Sequence, residues 1–145
     1  MRIPVILILV LTPLLLNGCA TYKRINRNEE CEKVIKNYNR MIRWQEAEKA
    51  SIAFVDKKLR PVYDKTAESI RRRGVTVADY RVLAQECLPD KLKAESTVQF
   101  DYFVMPDNRM KTVTDHQNWI FQEENPTDPD RAEGWKLISP LPEFK

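Results

Sequence analysis

At Gly74 the spacing of apolar residues changes from near 3.6 to two, and this switch constrains the fold more than any other feature of the chain. Ahead of it, Glu29 to Leu59 contains no Gly or Pro, and Val34, Tyr38, Met41, Ile52, Val55 and Leu59 recur at helical spacing. Trp44, Ala47, Ser51 and Phe54 form a second stripe rotated from the first, which predicts a break near Arg43-Trp44. Pro61 suits the first turn of a further helix, in which Val62, Thr66 and Ile70 align and which Gly74 ends. Arg71-Arg72-Arg73 then lies in the last turn, where positive charge complements the helix dipole.

Beyond Gly74 the chain reads as strands. Val75 to Leu88 carries Val75, Val77, Tyr80, Val82 and Leu83. From Lys93 to Met105 the alternation is cleaner: Ala94, Ser96, Val98, Phe100, Tyr102 and Val104 face one way, and Glu95, Thr97, Gln99 and Asp101 the other. Arg109 to Glu123 sets Val113, Trp119 and Phe121 on one side. Gly134 to Ser139, after the polar loop 125–130, sets Trp135 beside Leu137 until Pro140 and Pro142 stop it. The expected fold class is α+β: N-terminal helices packed on one face of a curved antiparallel sheet of about four strands, joined as a meander. A chain of 145 residues, 43% of them hydrophobic, suits one domain rather than two.

The first nineteen residues form a different unit. Met1-Arg2 precedes fourteen uncharged residues, Ile3 to Leu16, a run short for a membrane-spanning helix and suited to the apolar region of a secretory signal. It ends in Leu16-Asn17-Gly18-Cys19, which resembles the lipobox of bacterial lipoproteins, although Asn17 departs from the small or β-branched residue usual there. The resemblance implies diacylglyceryl attachment to the Cys19 thiol, cleavage after Gly18 and acylation of the new amino terminus. Ala20, where an Asp would imply inner-membrane retention, implies the periplasmic face of the outer membrane. The expected organisation is a signal peptide over 1–18, a lipid-anchored tether over 19–29 lying near the headgroups, and a single α+β domain over 30–145. Export would bring the two other cysteines, Cys31 and Cys87, into a compartment where disulfides persist. Their pairing is expected, with two separate buried thiols as the alternative.

The order of helices before a meander resembles the nuclear transport factor 2-like and cystatin-like cone folds, where an N-terminal helix lies across a bent antiparallel sheet. The Gly-Trp-Lys-Leu-Ile run at 134–138 looks like the closing strand of the former.

Chemistry is sparse. The 24 Lys and Arg against 21 Asp and Glu leave a net charge of +3, too little for a dedicated nucleic-acid surface, so no nucleic-acid partner is expected. One His and no CxxC or HxxxH spacing imply no metal, and three scattered Gly build no phosphate loop, so no cofactor is expected. Ser51 and Ser139 lack GxSxG surroundings, and Cys87 lacks a basic partner that would make it a nucleophile.

The best local case for catalysis is Asp115-His116-Gln117. Strand alternation turns Asp115 and Gln117 toward the side of Val113 and Trp119 and turns His116 away, so Asp115 and His116 cannot form a dyad. Asp115 could serve as a desolvated base if the cone encloses a cavity; otherwise Asp115 and Gln117 satisfy backbone groups or each other. A pocket there would involve Tyr102, Asp115, Gln117 and Trp119. No catalytic residue is assigned. The leading expectation is a membrane-anchored, non-catalytic binding or scaffold domain with an envelope protein as partner. The alternatives are a ligand-binding or catalytic cone around Asp115 and a structural homodimer.

Overall fold

The computed structural model describes residues 20–128 and 131–145 with their side chains, and the backbone of the first helix from Ile3. Helix α1 (Ile3–Arg43) is followed by α2 (Ala47–Phe54) and α3 (Arg60–Arg72). Strands β1 (Val75–Leu88), β2 (Lys93–Val104), β3 (Lys111–Gln122) and β4 (Gly134–Leu137) then form one antiparallel sheet in the order β1-β2-β3-β4. The fold is therefore α+β, helices first and a four-stranded meander after. Among the described residues no helix is long and apolar enough to cross a membrane.

The expected break between the first helices falls at Trp44-Gln45, where Gln45 takes a positive φ of 61°. Pro61 stands in the first turn of α3, and Gly74 at φ +68° receives the chain where α3 ends, a conformation that a side chain would disfavour. Arg73 donates from Nη1 to the carbonyl of Phe144, and Arg71 pairs with Glu48 of α2 at 3.3 Å.

One face of the sheet carries the core. From β2 it receives Ala94, Val98, Phe100 and Tyr102, from β3 Trp119 and Phe121, and from β4 Trp135 and Leu137. Helix α1 covers this face with Cys31, Ile35, Tyr38 and Ile42, each side chain contributing roughly 1.5–3 kcal/mol by leaving water. Most of the expected helical stripe packs here: Tyr38, Ser51 and Val55 are buried, and Val34, Met41, Phe54, Leu59 and Ile70 lie against the core. Ile52 and Val62 are exposed, whereas Ala50, Ser51, Tyr63 and Ala67 are buried. The opposite sheet face is polar, with Arg81 paired to Asp101 and Thr112 donating to the same carboxylate.

Cys31 and Cys87 are bonded, their Cα atoms 6.4 Å apart, tying α1 to the far end of β1. From Ala20 the segment expected as a tether is helical and continuous with α1, since no Gly or Pro between residues 20 and 43 interrupts the helix. Its side of the domain is fastened. Arg27 lies 4.6 Å over the Phe121 ring and 3.1 Å from Glu123, and its carbonyl accepts from Trp135 Nε1 at 3.0 Å. Arg24 pairs with Asp90 in the 3₁₀ turn Pro89–Lys91. The side chain of Cys19 lies outside the described residues, as do Pro129 and Asp130 of the polar loop.

After β4 the chain folds back. Leu141 and Phe144 are buried, and Phe144 packs edge-on against Tyr102 at 5.0 Å and Phe100 at 5.9 Å.

Candidate functional site

The inward face of β3 carries Asp115, Gln117 and Trp119 in alternation, all buried, while His116 points outward to Thr97 on the polar face. Gln117 is the hub. Its Nε2 donates to Asp115 Oδ2 at 2.8 Å and to Asn39 Oδ1 at 2.7 Å, and its Oε1 accepts from Ser96 Oγ at 2.9 Å and from Asn39 Nδ2 at 3.3 Å. Asn39 also donates to the Ile35 carbonyl. Burial pushes the Asp115 carboxyl up to about 6, with the Gln117 hydrogen bond and the neighbouring His116 drawing it down.

Beside this network the Tyr38 and Tyr63 hydroxyls lie 2.9 Å apart, joining α1 to α3. Burial first, and then Tyr63 and Asp115, raise Tyr38 well above the ordinary tyrosine range; burial does the same for Tyr63. These groups stay neutral hydrogen-bonding partners rather than acids or bases.

Tyr102 does not join them. It stands opposite Lys111 in the β2–β3 register, whereas Asp115 stands opposite Val98, and its hydroxyl donates to the Lys145 carbonyl. Trp119 packs edge-on against Tyr38 at 5.3 Å. The interior around Asp115 is thus filled by α1. Three clefts open elsewhere on the described residues, and none is lined by Tyr102, Asp115, Gln117 or Trp119.

The most voluminous of the three, about 750 Å³, lies on the outer face of β3–β4. Its floor is Ile120, Ile138 and Ile52, its walls the turn from α2 to α3 and the residues Asp128, Arg131 and Ala132. Asp56 N–H donates to the Leu137 carbonyl at 2.9 Å and Val55 bridges Leu137, so the turn is stitched to the edge of β4. The Asp56 carboxylate accepts from Gln122 Nε2 at 2.5 Å and from the Lys58 N–H at 2.9 Å. Lys57, Lys58, Arg60, Arg131 and Lys136 bring cations to the same cleft, against the carboxylates of Asp56 and Asp128. Sequence reading missed it. The run Asp56-Lys57-Lys58-Leu59-Arg60 is visible as a charge cluster, but its meeting with Lys136 depends on contacts such as the one from Lys136 to Ala53, 83 residues apart.

No family of known proteins matches the chain, and no curated protein is similar to it. Among solved structures it is similar to the crystal structure of the intermembrane space region of chloroplast protein ARC6, with a TM-score of 0.41 and 10% identity, covering 74% of this chain and 89% of that one.

Proposed function

We propose that this chain is a lipoprotein of the bacterial cell envelope, anchored through lipid on Cys19 at the periplasmic face of the outer membrane, whose domain binds or scaffolds a neighbouring envelope protein without catalysing a reaction. The resemblance of its helix-then-meander order to nuclear transport factor 2-like and cystatin-like cones belongs to the same proposal. The observation that carries the choice of binding over catalysis is the closed interior: Tyr38, Ile35 and Asn39 occupy the space a cone-fold enzyme would offer its substrate, and the Asp115 carboxylate is held by Gln117. Export is supported by the Leu16-Asn17-Gly18-Cys19 motif and by the Cys31–Cys87 bond, a pairing that persists in oxidising compartments. Lipid attachment would confine the domain to two dimensions and raise its effective concentration toward neighbours.

Crosslinking in intact envelopes followed by recovery of the lipidated chain tests this reading. A specific protein partner is expected; recovery of lipids alone would remove the scaffold role. Mass analysis of the mature amino terminus tests the anchor, which an unmodified Cys19 would exclude. A homodimer is the second reading, favoured by β1, an edge strand of 14 residues with Val82 and Leu83 exposed. Light scattering of the full chain in neutral micelles, corrected for bound detergent, would give twice the monomer mass in that case.

A further inference from the structure

We infer that the outer-face cleft takes an extended acidic peptide segment of a partner protein, its carboxylates meeting Arg60 and Lys136 and an adjacent aliphatic side chain resting on Ile52 and Ile138. The inference rests on the binding-domain reading and gives that reading a surface.

The charge arrangement is the starting point. Arg60 donates from Nε to the Val55 carbonyl and from Nη2 to the Ile52 carbonyl, each at 3.1 Å, and Lys136 Nζ donates to the Ala53 carbonyl at 3.0 Å. Both cations are therefore fixed in position by neutral backbone oxygens, and among the described residues neither forms an ion pair within 4 Å. Of the two carboxylates that line the cleft, Asp56 is engaged by the Gln122 amide and the Lys58 N–H, and Asp128 forms no ion pair within 4 Å with Arg60 or Lys136, so the cations remain in excess.

Two like charges brought together in a partly desolvated cleft oppose each other. Lys136 is held below the ordinary lysine range, by burial first and by Arg60 second, with Asp56 acting the other way. An incoming anion relieves that repulsion, and because the cations are already ordered it need not pay to immobilise them. Lys58 and Arg131, both exposed, extend the positive field along the rim.

The floor selects the body of the ligand. Ile52 is 72% exposed and Ile138 43%, so aliphatic surface stands open beside the charges. A free inorganic anion would leave that surface in water. A segment with alternating acidic and aliphatic residues covers both, and 750 Å³ lies within the range of roughly 300–1,000 Å³ typical of ligand sites.

The test is fluorescence polarisation with the full chain in neutral maltoside micelles and a labelled peptide of alternating glutamate and leucine. Saturable binding that weakens several-fold as salt rises is expected. Arg60→Gln with Lys136→Gln should weaken it at least about tenfold. Since Arg60 also ties down two carbonyls, the exposed pair Lys58→Glu with Arg131→Glu provides a second variant whose weakening is expected without loss of the fold by circular dichroism. Absence of saturable binding to the wild-type chain, or equal affinity in both variants, overturns the inference. Displacement of the peptide by inorganic phosphate or glycerophosphoglycerol at the concentration at which unlabelled peptide competes would reassign the cleft to phosphate groups and overturn it too. A null peptide result leaves crosslinked partners on other surfaces intact. Peptide binding without any envelope partner removes the wider reading and not the cleft.

Discussion

Gln117 presents its amide nitrogen to the Asp115 carboxylate at 2.8 Å from two residues away on the same strand, so the one deeply buried acid of the sheet is partnered from its own β3. A carboxyl held up to about 6 in the fold, against 3.8 ordinarily, keeps its proton in the native state where the unfolded chain has lost it. Its stabilising contribution is complete below pH 4 and disappears as pH rises through 6. The difference corresponds to about 2–3 kcal/mol. Asp115→Asn should abolish this slope and raise stability at pH 7 relative to the wild type. Urea midpoints at pH 4, 5, 6 and 7 for both proteins check it; parallel curves would refute it.

The Cys31–Cys87 bond spans 56 residues of sequence, and a loop of that length corresponds to about 4 kcal/mol of lost unfolded-state entropy. Replacing both by serine should lower the melting temperature substantially and free the α1 side of β1. In the wild-type chain, alkylation in denaturant without reductant should label neither residue. Two modified thiols there would contradict the structure.

The hydroxyls of Tyr38 and Tyr63 meet at 2.9 Å in the core. Either Tyr→Phe change strands the remaining hydroxyl, costing about 1–3 kcal/mol, while the double change removes both groups and should cost less than the two single changes summed. A double-mutant cycle in urea measures the coupling; additive effects would show that the contact contributes nothing.

Phe144 seats against Phe100 and Tyr102, and with it come the Arg73 and Tyr102 hydrogen bonds to the last carbonyls. Phe144→Ala should destabilise the fold by about 3 kcal/mol and speed hydrogen exchange at Val75 and Val77, which line the same cleft as Phe144. Unchanged exchange at those amides would mean that the tail is dispensable.

Most of the architecture can be read from local pattern. The four strands fall within a few residues of where apolar spacing and turn residues put them; β2, β3 and β4 alternate between core and water, whereas β1 does so only at its start and is exposed over residues 81–86, and Pro61 and Gly74 bracket α3 for reasons internal to the helix. What escaped depends on distant partners. Asn39 looks like a surface residue of an amphipathic helix, yet it is buried because Gln117, 78 residues later, meets its amide. Phe144 follows two prolines that end the last strand, and nothing local says that it returns to the core. Of the expected helical faces, Ile52 and Val62 are on the solvent side, and nothing local marks them out because they are as apolar as the neighbours that do pack. The cleft around Lys136 was hidden for a related reason: its walls are brought together by long-range contacts, the Val55–Leu137 bridge and the hydrogen bonds of Asp56 and Lys136.

Helix α1 carries its own mechanical message. Ala20 and Cys31 are eleven residues apart on an unbroken helix, a rise of about 16 Å, and the covalent bond to Cys87 with the grip on Arg27 prevents the globule from pivoting about that rod. Were Cys19 to carry lipid, the domain would be joined to its anchor by this rod and not by a slack linker. It would then meet partners by sliding in the plane of the membrane, presenting its surfaces at a distance from the bilayer bounded by the length of the rod.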